Sequence, residues 1–185
     1  MNLIQKILKN KVKGRKVLIL FILSSMVYAV MIFVTIPKLI YFGNGMDVLD
    51  MMPFGYSYPY VTQLFTELGV DGRNYYLNYQ IPIDMVYPYL FGLSYFYIMT
   101  YVLLKINLWK STFIYLSILP VIGALFDYFE NIGTILMLRN YPNLNPSVVQ
   151  LNSFFTISKS ILSTLFFISL MVILVIFSIK KVSKK

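Results

Sequence analysis

The sequence predicts an all-α integral membrane protein. It should have four transmembrane helices, both termini cytoplasmic, and an aromatic-rich first extracytoplasmic loop folded as a cap. Two observations carry this prediction. First, the apolar runs 17–36, 85–104, 111–126 and 160–179 contain no charged residue, and about 20 apolar residues of helix cross a hydrocarbon core of about 30 Å. The third run is interrupted by Asp127 and then continues apolar to Leu138. Second, the charges sort by side. With both ends inside, 12 of the 16 basic residues fall at the inner face, and all seven acids fall outside or in the outer half. Lys and Arg in short segments next to spans stay on the cytoplasmic side, where they also meet anionic lipid. This placement makes membrane lipid the partner of the +9 net charge and argues against nucleic acid.

Composition agrees. The 185 residues are 58% hydrophobic and only 12% charged, about half the charge fraction of a soluble domain. Four spans leave little for a separate soluble domain, so 1–185 reads as one membrane domain of a multi-pass cell-membrane protein. There is no Cys and no His. That removes disulfides, His- or Cys-ligated haem, the usual zinc sites, and Ser–His or Cys–His nucleophiles. No metal and no cofactor is expected; any metal would be a hard cation on oxygen ligands.

Segment 1–16 is basic and sits at the inner surface. Ile4, Ile7 and Leu8 lie beside Lys6, Lys9, Lys13 and Lys16, which suits a short interfacial helix or an unstructured positive tail. The first span is 17–36, stopping near Pro37-Lys38. A basic segment before an apolar run also fits a signal peptide cut after Ala29, but apolar sequence running on to Ile36 favours a retained span. The outer loop 37–80 holds seven tyrosines, a residue that gathers at membrane interfaces. Within it, Pro59 opens a short helix to Leu68, Gly69 stops it, and Asp71-Gly72 reads as a tight turn. The second span, 82–104, carries Pro82 in its first turn and Pro88 a turn further in, where a bend is expected. The turn 105–110 is short, so the third span, 111–138, returns antiparallel. Pro120 should kink it, and the carbonyls a kink frees need partners. A second outer loop, 139–152, leads to the fourth span, 153–179, and a basic tail, 180–185.

One cluster holds candidate chemistry. Asp127, Glu130 and Asn131 are three and four residues apart and so share a helical face. Counting from Ser111 at about 1.5 Å per residue, Asp127 lies about 24 Å up the axis and Glu130 about 28 Å. That is the outer edge of the hydrocarbon, where a charge costs less than at the midplane. Asp84 and Lys159 start their spans at the same level, and Arg73 and Asn78 in the loop are placed to cover the pocket. Asp127 and Glu130 are the candidate acid and base; Asp84, Asn131, Lys159 and Arg73 are candidate ligand-binding residues. Two nearby carboxylates repel unless a proton or a cation intervenes. Three roles follow: acid–base work on an outer-leaflet or other small extracytoplasmic molecule, a proton or cation relay for transport, or hydrogen-bonded glue between helices. The expected function is a polar pocket for a lipid-like or small ligand. The alternatives are an accessory or immunity-type protein whose cap meets a partner membrane protein, or a transporter subunit.

Overall fold

The computed structural model describes residues 12–108 and 112–182; most of the basic segment 1–16, and Trp109 in the turn, lie outside them. The chain is all-helical, with no strand among the described residues. The helices are α1 (Gly14–Phe42), α2 (Tyr58–Glu67), α3 (Gly69–Lys105), α4 (Thr112–Asn140) and α5 (Pro146–Val182). All but α2 are long and apolar enough to cross a membrane. Their outward faces expose Leu18, Phe33, Leu125, Leu165 and Ile168, as helices facing lipid must.

Two expected helix ends are not ends. The first span was to stop at Pro37, yet α1 continues to Phe42. Pro37 cannot donate to the carbonyl a turn back, and its ring crowds that carbonyl. The helix answers by widening into a π turn at Met31–Thr35. The same device, at Tyr76–Gln80, precedes Pro82, so α3 begins at Gly69 rather than at 82. Gly69, at φ +60°, makes the break between α2 and α3, the stop expected there. Asp71-Gly72 consequently lies in the first turn of α3 and is not a tight turn. The second loop is also shorter than 139–152, because α5 already starts at Pro146.

At 37 residues each, α3 and α5 are about 55 Å long, well beyond the hydrocarbon thickness. Their surplus turns rise on the cap side and frame the cap. There Leu39, Val48, Leu49, Val61, Leu64, Phe65, Tyr76, Met137 and Val149 form a closed apolar core. A second core, near the opposite end, joins Met99, Leu103, Phe166, Leu170 and Ile173. Between the two cores the facing side chains turn polar and aromatic.

Pro120 opens the α-helical part of α4, after a 3-10 stretch at Thr112–Ile118. That stretch rises about 2.0 Å per residue rather than 1.5, so Asp127 and Glu130 sit a few ångströms closer to the cap than straight α-helix would put them. Helices pack in sequence, α1 on α3, α3 on α4 and α4 on α5; α1 and α5 make no comparable contact with each other.

Candidate functional site

Lys159 of α5 bridges both carboxylates of α4. Its Nζ is 2.9 Å from Asp127 Oδ1 and 2.5 Å from Glu130 Oε2. Thus the charge that holds the two acids together is supplied by the chain itself. Glu130 is fully buried, and Thr156 Oγ1 donates to its Oε1 at 2.8 Å. Asp84 and Lys159 each lie 21 residues from a lysine at the opposite end of their helix, Lys105 and Lys180, which is about 31 Å of α-helix. Both therefore mark one layer, a hydrocarbon thickness away from the basic ends.

Asn131 is held by a consequence of proline. Pro88 has no N–H to give to the Asp84 carbonyl one turn back. Asn131 Nδ2 donates to that carbonyl instead, at 3.2 Å and in a fully buried setting. The carbonyl that Pro88 leaves free in the second span thus explains why an amide stands beside two acids in the third. Asp84 Oδ2 is buried without a hydrogen-bond partner.

The cap closes this layer. Tyr56 N donates to Ser153 Oγ at 2.9 Å, and its hydroxyl accepts from Asn152 Nδ2 at 2.8 Å and lies 3.3 Å from Thr156 Oγ1. Burial and the nearby Glu130 keep the Tyr56 phenol protonated far above the ordinary tyrosine range. Asn152 Nδ2 also reaches Thr134 Oγ1 at 3.1 Å, and its side chain packs against Gly133, where an added Cβ would come within 2.6 Å of Asn152 Cγ. Gly133→Ala should therefore push α4 from α5 and cost about 1–3 kcal/mol, read as a lower unfolding temperature in detergent.

Asp50, from the cap turn Leu49–Met51, also reaches the layer. Its Oδ2 accepts weak hydrogen bonds from Tyr76 (3.4 Å) and Gln80 (3.5 Å), while its Oδ1 is buried and unpartnered. Gln80 is paired in turn with Thr35 of α1. Burial raises the Asp50 carboxyl above the usual aspartate range, Lys159 opposes this, and Asp127 adds to it. A raised folded-state pKa means that the folded protein holds this proton more tightly than the unfolded chain does. Its stabilisation is fully present below the ordinary pKa, about 3.9, and is lost as pH rises through the raised value. The difference in unfolding temperature between wild type and Asp50→Asn should change in that direction as pH is raised from 4.

Beneath this layer, and lined by all four long helices, lies a cavity of about 390 Å³. Asp50, Asp127, Lys159 and four serines (Ser24, Ser25, Ser160, Ser163) are its polar lining; Tyr28, Tyr87, Phe91, Tyr95 and Phe167 form an aromatic wall. The wall is tightly assembled: Tyr28 stacks on Tyr87 at 5.4 Å, Phe91 lies 4.8 Å from Tyr95, and Tyr95 lies 5.2 Å from Phe167. Ser25 and Tyr28 on α1 and Phe167 on α5 are exposed as well as lining. The cavity therefore opens sideways where α1 and α5 fail to pack.

Of the residues singled out in the sequence, Asp127, Glu130, Asn131, Asp84 and Lys159 do come to one layer. Only Asp127 and Lys159 among them line the cavity. Arg73 goes elsewhere: Nη1 donates to the Phe65 carbonyl at 2.5 Å, and the guanidinium sits 4.4 Å over the Tyr141 ring. Asn78 is exposed. Asp50, Tyr56 and Asn152 were not anticipated in this layer; Tyr56 was read as a cap tyrosine. Among the described residues no group of three or more acids is arranged to hold a metal ion. No family model matches the chain, and no curated protein or solved structure matches it.

Proposed function

We propose that this is a multi-pass cell-membrane protein, with both termini cytoplasmic, that binds an amphipathic molecule of the bilayer. The ligand enters sideways between α1 and α5, sets its polar head at Asp127 and Lys159, and lays its apolar part along the aromatic wall. One observation carries this reading: the cavity is charged at the layer of the ion pairs, mainly aromatic with a few serines below it, and bordered by exposed residues of α1 and α5. A ligand from water would have to pass the closed apolar core of the cap, whereas one from the membrane meets an existing mouth. Glu130, Asn131 and Thr156 position the lysine and the helices around it. Of the two α4 carboxylates Asp127 alone lines the cavity, where Asp50 of the cap turn joins it.

Orientation is supported by the basic residues Lys13, Arg15, Lys16, Lys105, Lys180 and Lys181 at one end and the cap acids at the other. The chain lacks cysteine, so single cysteines at the exposed Gln63 and Asn143 should react with an impermeant thiol reagent applied outside cells, and one at Lys105 should not. For binding, a single-chain amphiphile with a diazirine in its tail, photolysed in nanodiscs, should leave adducts on Phe91, the buried member of the aromatic wall. Adducts confined to the outward-facing Phe33, Leu165 and Ile168 would mean that lipid surrounds the helices without entering.

A further inference from the structure

In the layer above the cavity, acids outnumber cations. Around Lys159 stand Asp127 and Glu130 in direct contact, with Asp50 and Asp84 within electrostatic reach. Four acids therefore stand around one ammonium. No second cation joins it among the described residues: Arg73 is held by Phe65 and Tyr141, and Lys38 lies over Tyr41 and Phe42. Inside a low-dielectric site, uncompensated negative charge is costly and is met by protons or by an incoming cation.

Two further features point the same way. Asp50 lines the cavity and keeps one buried oxygen, Oδ1, without any donor. Immediately below the carboxylates, Tyr28, Tyr87, Phe91 and Tyr95 line the space. A carboxylate above aromatic rings is the arrangement that recognises an ammonium, by ion pairing and by attraction to the ring faces. An anionic head such as a phosphate is disfavoured, because the lysine it needs is already engaged by two carboxylates and the remaining ionisable lining groups are acids.

Resting on the reading of the cavity as a bilayer-facing amphiphile site, we infer that the ligand carries a cationic amine head, which the Asp50–Asp127 side of the cavity accepts above the aromatic wall.

The test uses the full chain in nanodiscs of zwitterionic lipid and three probes of equal tail length: dodecylamine, monododecyl phosphate and the neutral glycerol monoester of dodecanoic acid. Retention of each is counted by native mass spectrometry, with Ser163→Phe, which fills the cavity, as the blank. Dodecylamine should be retained at least about tenfold better than the phosphate, the neutral probe should fall between, and Asp50→Asn should narrow the gap between amine and phosphate. If the phosphate or the neutral probe is retained best and Ser163→Phe abolishes that retention, the cavity takes amphiphiles but the assigned charge is wrong. If retention of all three ignores Ser163→Phe, the cavity is not their site and both readings fall.

Discussion

Replacing Lys159 by Met should destabilise the protein by about 3–5 kcal/mol, the cost of leaving buried carboxylates without their cation. Lys159 contacts Asp127 and Glu130 together, and Glu130 has no exposure through which water could take over. A methionine of similar length keeps the packing and removes only the charge. Unfolding temperature in detergent, or reversible unfolding in bicelles, reads the loss directly. Adding Glu130→Gln should recover a large part of it, since the most deeply buried orphan acid is then gone and Thr156 can still bond the amide. If Lys159→Met unfolds at the wild-type temperature, the ion pairs contribute nothing to the bundle, and the site holds no net charge worth compensating.

The second large effect concerns the amide beside the acids. Asn131→Leu, close to isosteric, strands the Asp84 carbonyl that Pro88 cannot serve and should cost about 1–3 kcal/mol. Pro88→Ala returns the missing N–H to that carbonyl. In the Pro88→Ala background, Asn131→Leu should therefore cost clearly less than in the wild type. This double-variant comparison isolates the coupling between a proline on α3 and an amide on α4. Equal costs in both backgrounds would mean that Asn131 serves some other partner.

The spans and the α4 cluster were legible because they depend on local sequence. Uncharged length reports a membrane helix, and spacings of three and four put Asp127, Glu130 and Asn131 on one face. Lys159 could be placed at the same height because the depth of a residue in a span follows from counting. What could not be read were partners brought together over long stretches of chain. Tyr56 meets Asn152 and Thr156, nearly a hundred residues away, and Asp50 reaches the cavity from a loop whose path no periodicity fixes. Prolines misled in a systematic way. Pro37 and Pro82 read as helix ends by propensity, but a π turn ahead of each lets the helix pass, and tertiary packing in the cap holds those turns in place. Arg73 was placed over the pocket by proximity in sequence to the second span; the extension of α3 carries it into the cap instead, onto Tyr141.

The central claim is that the space under Lys159 and Asp127 is a ligand site reached from the bilayer. Native mass spectrometry of wild type and of Ser163→Phe, both extracted in nanodiscs from the same cells, tests it most directly. The wild type should carry one tightly held amphiphile per chain, lost from Ser163→Phe while the two proteins unfold at similar temperatures. Wild-type protein with no retained molecule, or a variant that retains it equally well, would contradict the account.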